Sequence, residues 1–305
     1  MKLKIAVLLF LLWGDLGAQA HKRENRFDKH SGVVYYTDYA PFAARPVGIY
    51  YHIPRNADPA TAPVLFLIPG SNRDAESLLN AVRSKLDELG VICFALEFKE
   101  KDYPLIDYQE MGIVDNEGIP RKRRLQTTEL PDRIFRYIRA HSDIRAEKYD
   151  LYGHSAGGQF IHRFLLFHDS PLVNRAMVGS PGWYTFPDPA RRYPYGVQGT
   201  RDAGQRRIRR FLRKQVVLHL GAADTVRESY LRKTPEAEAQ GHNRLERGRT
   251  FYDFLRDAAA KCGQPLSWGY LEAEGVPHRS DLMALRGLDY LYGHPEPAAT
   301  DRKRR

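Results

Sequence analysis

The run APVLFLIPG, ending at Gly70, carries no charge, and GVICFALEF at 90–98 is apolar until Glu97. A strand with one wet face alternates polar and apolar residues, whereas one that is apolar at nearly every position must be covered on both sides. Helical stretches at 75–89 and 127–140 flank these runs, and further strand-like runs follow: KYDLYG at 148–153, NRAMVGSPG at 174–182, QVVLHLGAAD at 215–224 and LSWGYLEAEG at 266–275. Strands alternating with helices predict an α/β protein with a mostly parallel central sheet and helices on both faces. GVVYYTDYA at 32–40 and RPVGIYYHIP at 45–54 are close enough in sequence to pair as an antiparallel entry, and a last helix is expected at 280–292.

The N-terminus places Lys2 and Lys4 before an apolar run from Ile5 to Trp13, with small residues at Ala18 and Ala20. These are the parts of a signal peptide cleaved after residue 20, and the run is shorter than the roughly 20 residues that span a bilayer. The expected product is an exported protein, periplasmic or secreted, with no membrane span. Residues 21–293 form one domain, and 294–305 make a basic, disordered tail. The net charge of +10 fits an acidic partner or plain solubility, but no zinc-finger spacing or aromatic RNA-binding strand is present, so nucleic acid is not expected. The two cysteines, Cys93 and Cys262, form no metal-ligand cluster with histidines. Export would permit a disulfide between them, while Cys93 sits within an apolar run, where a buried unpaired thiol is common.

YDLYGHSAGGQF at 149–160 sets Gly153, Ser155 and Gly157 between a strand and a helix. That is the pattern of a nucleophile elbow, where a side chain at either glycine would clash in the sharp turn. A serine hydroxyl is too weakly acidic to attack unaided and needs a base, which in turn needs an orienting carboxylate. Asp224 follows one later strand-like run and His278 follows the next, with Glu228 or Asp202 as alternative acids. Among other histidines, His219 falls inside a strand, His162 and His168 lie on the helix after the elbow, and the side chain of His154 is expected to point away from Ser155.

With these residues in the order serine, acid, histidine, the chain resembles the α/β-hydrolase superfamily over almost all of residues 21–293. GHSAGGQF, GSPGWYTFP and GVPH make it most similar to exported esterases and polyester (polyhydroxyalkanoate) depolymerase-like hydrolases. The resemblance implies Ser155 as nucleophile, His278 as general base and then acid, and Asp224 as its orienter. It also implies an oxyanion hole from the backbone NH groups of Ala156 and Ser71. Many relatives carry His-Gly where this chain has Pro69-Gly70, a departure that touches the subfamily more than the chemistry. No metal or organic cofactor is called for.

A cap-like insertion is expected at about 183–214. Its aromatics, Trp183 and Tyr184 first among them, either line a substrate pocket or cover core, and its arginines from Arg191 to Arg213 either bind anionic groups or form a solvated helix face. The substrate is then an ester, small or polymeric, with an anionic one as a further option. A peptidase or amidase would use the same three residues, and a non-catalytic binding module would keep the scaffold without the chemistry.

Overall fold

A computed structural model describes residues 25–293. The expected signal peptide at 1–20 and basic tail at 294–305 lie outside the described residues. Eight strands form: β1 (Ser31–Tyr36), β2 (Val47–His52), β3 (Val64–Ile68), β4 (Ile92–Glu97), β5 (Tyr149–His154), β6 (Val173–Gly179), β7 (Val216–Gly221) and β8 (Trp268–Ala273). They make one sheet in the order β1-β2-β4-β3-β5-β6-β7-β8. β2 pairs antiparallel with β1 and with β4, and every other pair is parallel. The antiparallel entry and parallel body are therefore as the sequence led one to expect.

Among the described residues, eight α-helices accompany the sheet: α1 (Ala75–Leu89), α2 (Leu105–Tyr108), α3 (Leu130–Ala140), α4 (Ala156–Phe167), α5 (Gln205–Leu212), α6 (Pro235–Glu238), α7 (Arg244–Lys261) and α8 (Ser280–Tyr292). All five residues of β3 are buried, and the pleat sends them to opposite faces. Leu65 and Leu67 join Val82 and Leu86 of α1 and Ala284 and Leu288 of α8. Phe66 and Ile68 join the other side, with Phe135 of α3 and Phe160 and Phe164 of α4. Burying each such side chain stabilises by roughly 1.5–3 kcal/mol, and β3 accordingly carries no polar residue on either face.

Helix ends follow local chemistry. The Asp74 carboxylate accepts from Ser77 N at 2.8 Å to start α1, and Gly90 at φ 64° ends it with its NH on Leu86 O. Asn243 caps α7 by accepting from Glu246 N at 2.9 Å. The long α7 has no counterpart in the sequence reading, because its buried apolar residues, such as Leu245, Phe251 and Leu255, are spaced among charged ones. The 183–214 segment holds one helix, α5, at its end, and Trp183, Tyr184 and Phe186 are 3 %, 0 % and 1 % exposed. Tyr184 and Phe186 belong to the hydrophobic core. Cys93 and Cys262 are both free, Cys93 buried, and burial pushes the Cys93 thiol well above its ordinary pKa.

Candidate active site

β5 ends at His154 and α4 begins at Ala156, so Ser155 alone turns the chain, at φ 57° and ψ −118°. A non-glycine residue at positive φ is strained and is held there by its surroundings. The surroundings are unusually close: a Cβ on Gly157 would stand 2.1 Å from the Ile68 carbonyl oxygen, and one on Gly153 would stand 2.6 Å from the Gly157 carbonyl carbon. Ser155 N donates to Gly179 O at 2.8 Å, and Gln159 N donates to Ser155 O at 3.0 Å. The strained serine is thus pinned from both the sheet and the helix.

The ends of β7 and β8 are clipped together by Ala222 N to Ala273 O at 2.9 Å and Ala223 N to Val276 O at 3.0 Å. Those two bonds set the loop carrying Asp224 beside the loop carrying His278. His278 Nδ1 lies 2.7 Å from Asp224 Oδ2, and its Nε2 lies 3.1 Å from Ser155 Oγ. An ionised carboxylate only accepts, so Nδ1 carries the proton and Nε2 presents its lone pair to the serine hydroxyl. Asp224 is 1 % exposed, which shields its bond to His278 from competing water.

The alternative acids are engaged elsewhere. Glu228 Oε2 accepts from Arg244 Nη1 at 2.5 Å; burial alone would raise its carboxyl, but the Arg244 hydrogen bond leaves the pKa below the ordinary value. Asp202 accepts from Arg123 at 3.1 Å and from Arg207 at 2.9 Å. Arg244 is itself buried and stands 3.5 Å from Asp224 Oδ1, so one guanidinium touches both carboxylates. It comes from the start of α7, remote in sequence from Ser155, and nothing in its local sequence marks it.

His162 spans Gly158 O at 3.0 Å and Thr185 N at 3.1 Å inside the core. His168 pairs with Asp132 at 3.1 Å, and burial holds His219 down to about 4. The His154 ring lies 4.4 Å from that of His278. Burial first, then the positive charge His278 can carry, hold His154 well below its ordinary pKa, so it stays neutral. His154, Asp224 and His278 offer ligand atoms within 4.8 Å of one another, yet both ring nitrogens of His278 already face Asp224 and Ser155.

The loop after β3 passes close to the nucleophile. A Cβ on Gly70 would be 3.9 Å from both His154 O and Ser155 Cβ, which puts Ser71, the next residue, in the neighbourhood of Ala156 at the start of α4. Residues the sequence reading did not single out hold this loop. Tyr108 of α2 donates its hydroxyl to Pro69 O at 2.6 Å. Arg73 lies 3.6 Å over the Tyr108 ring and donates to Phe98 O and Tyr103 O at 3.0 and 2.9 Å.

Trp183 and Tyr184 part company. Trp183 is held between Arg163 at 3.9 Å and Arg232 at 4.4 Å, and its carbonyl accepts from Gln159 Nε2 at 3.5 Å, one helical turn from Ser155. Tyr184 is fully buried, stacks on Phe251 at 4.4 Å and bonds Gln240 through both its NH at 2.8 Å and its carbonyl at 3.0 Å. As a substrate contact Tyr184 is therefore corrected: it is a core residue. Three of the eight arginines at 191–213 pair with nearby acids, Arg191 with Asp188 at 3.0 Å, Arg207 with Asp202 at 2.9 Å and Arg210 with Asp169 at 2.5 Å.

No protein-family model and no curated protein matches the chain. Solved structures do. It superposes on LpqC, a poly(3-hydroxybutyrate) depolymerase from Bordetella parapertussis, with a TM-score of 0.83 and 26% identity over 88% of this chain and 92% of that one. It superposes on poly(aspartic acid) hydrolase-1 from Sphingomonas sp. KT-1 with a TM-score of 0.81 and 30% identity, over 87% of this chain and 98% of that one. The chain belongs to the α/β-hydrolase superfamily. A siderophore hydrolase, EstB from Aspergillus nidulans, shares the fold of this hydrolase at a TM-score of 0.54 and 15% identity, over 88% of this chain and 97% of that one. Its similarity to the depolymerase and to the poly(aspartic acid) hydrolase makes this α/β-hydrolase a hydrolytic enzyme. Among the described residues, no helix is long and apolar enough to cross a membrane.

Proposed function

We propose that this hydrolase cleaves carboxylic esters through an acyl-enzyme on Ser155. The observation that carries the reading is the unbroken line Asp224, His278, Ser155, with contacts of 2.7 and 3.1 Å. Ser155 Oγ adds to the ester carbon while its proton passes to His278 Nε2, and Asp224 holds the resulting imidazolium in place. The carbonyl oxygen, now negative, is met by the NH groups of Ala156 and Ser71. Each such donor contributes on the order of 3–4 kcal/mol to the transition state. His278 then returns the proton to the departing alcohol, and water repeats the sequence in reverse to free the acid.

A second reading, amide hydrolysis, is favoured by one observation: the 30% identical structure is that of a poly(aspartic acid) hydrolase, and such a polymer is joined by amide bonds. The same serine and histidine serve, with His278 protonating an amine. Turnover of matched ester and amide substrates, with neutral and acidic acyl groups, separates the two. Ester turnover that exceeds amide turnover and vanishes in Ser155→Ala supports the first reading; the reverse preference supports the second. A binding module without activity is disfavoured by the complete serine, histidine and acid set. The signal-peptide-like residues 1–20 support export, and fractionation of cells expressing the full chain tests it.

A further inference from the structure

The far rim of the sheet holds a second serine, histidine and aspartate. Ser31 opens β1 and is paired with His52, the last residue of β2, and His52 in turn pairs with Cys93, next to the start of β4. This is the N-terminal rim of the parallel strands, opposite the rim that carries Ser155. Ser31 Oγ lies 2.9 Å from His52 Nδ1, and His52 Nε2 lies 2.6 Å from Asp87 Oδ1 near the end of α1. Arg83, one turn earlier on α1, donates from Nη1 to Ser31 Oγ at 2.7 Å, with the same nitrogen 3.4 Å from His52 Nδ1, and from Nη2 to Asn80 Oδ1 at 2.7 Å.

The hydrogen-bond directions follow from what each group can do. A guanidinium only donates, so Ser31 Oγ is the acceptor on that side and its single proton is left for His52 Nδ1. Nδ1 is then the accepting nitrogen, Nε2 carries the proton, and that proton goes to the Asp87 carboxylate. The connectivity equals that of Ser155, His278 and Asp224 with the two ring nitrogens exchanged. These side chains open on a cavity of about 420 Å³ that His30 and Arg55 also line, a size suited to a small molecule. Besides the histidines, the wall carries Arg55, Arg83 and Asp87, an excess of positive charge.

We propose that Ser31 is a second activated serine, able to accept an acyl group from small carboxylic esters that carry an anionic group. Ser31 Oγ bonds to the acyl carbon and its proton moves to His52 Nδ1. The imidazolium, steadied by Asp87, gives that proton to the departing alcohol as the ester bond breaks, and water releases the acid by the same route. Arg83 is placed to stabilise both the attacking oxygen and an anionic substrate. Asp87 is 50 % exposed at its side chain, so water competes for its bond to His52, and the reaction is slower than at Ser155.

The test uses the full chain carrying Ser155→Ala, which separates this centre from the one proposed above, and a reporter-tagged fluorophosphonate as probe. Attack by Ser31 forms an O–P bond, expels fluoride and leaves the proton on His52. The expected result is an adduct mapped to the Ser31 peptide that disappears on adding Ser31→Ala and forms roughly 100-fold more slowly on adding His52→Ala, the scale of general-base assistance. Asp87→Asn, a change at a half-exposed site, provides the same check should His52→Ala fail to fold, with a slowing of about tenfold or more. No adduct at Ser31 after probe exposure at least 100-fold longer than saturates Ser155 in the wild type, about the scale of general-base assistance, or labelling at an unchanged rate in folded His52→Ala or Asp87→Asn, overturns the proposal and leaves the cluster a structural clasp.

Discussion

His278 Nδ1 donates to Asp224 Oδ2 over 2.7 Å, and the carboxylate that receives it is 1 % exposed. This contact fixes the ring so that Nε2, not Nδ1, meets Ser155. Asp224→Asn keeps the shape but can donate to Nδ1, which favours the wrong tautomer. The expected outcome is a fall in kcat of about 10⁴-fold with little change in KM, measured by steady-state kinetics on a chromogenic ester. The melting temperature should stay close to that of the wild type.

Gly157→Ala tests the elbow. The new Cβ would lie 2.1 Å from Ile68 O, a backbone atom that cannot step aside alone. A loss of at least 2 kcal/mol on the scale of about 1–3 kcal/mol for overpacking, together with a strong fall in kcat, is expected from denaturant unfolding and ester assays. Gly90→Ala offers a contrast, since nothing lies within 4 Å of the added Cβ there. Its cost should come from the positive φ alone, about 1 kcal/mol, with activity retained.

Buried histidines set the acid limit of stability. His219 is held neutral with a pKa of about 4, against about 6.5 in the unfolded chain. The unfolded state therefore binds the proton first as pH falls, and stability present above pH 6.5 is lost between 6.5 and about 4, by about 1.4 kcal/mol per pH unit. Among the described residues neither ring nitrogen of His219 has a hydrogen-bond partner, so His219→Leu removes a titrating group without orphaning another. Unfolding free energies across pH 4–7 should show a shallower acid limb in this variant.

Arg244 touches Glu228 at 2.5 Å and Asp224 at 3.5 Å with only 2 % of its side chain exposed. Arg244→Met keeps the bulk and removes the charge, leaving two carboxylates near one another without their shared cation. Breaking such a buried pair costs about 3–5 kcal/mol, and denaturant unfolding should show a loss of that order. Glu228→Gln, which keeps a hydrogen-bonding group for Arg244 on a partly exposed side chain, should cost much less.

Much of the fold was legible because buried parallel strands leave a strong imprint. An apolar residue at every position of β3 has one physical explanation, and the starts and stops of α1 and α8 follow caps or loops visible in the chain. Ser155, Asp224 and His278 could be placed because each falls just past a strand end, where the sheet itself dictates the rim. Arg244, Arg73 and Tyr108 could not. Their roles arise from packing between segments distant in sequence, and a buried arginine looks the same on paper as a solvated one. Tyr184 was misplaced for the same reason, since an aromatic that stacks on Phe251 and one that lines a pocket share one composition.

The most direct measurement is a rapid-quench experiment on intact protein with a chromogenic ester, followed by peptide mapping. The expected result is an acyl adduct on Ser155 that forms with the burst of alcohol release, accumulates further in a variant slowed in deacylation, and is absent from Ser155→Ala together with turnover. Turnover retained in folded Ser155→Ala, or an acyl group that maps to another residue during the burst, would contradict the account.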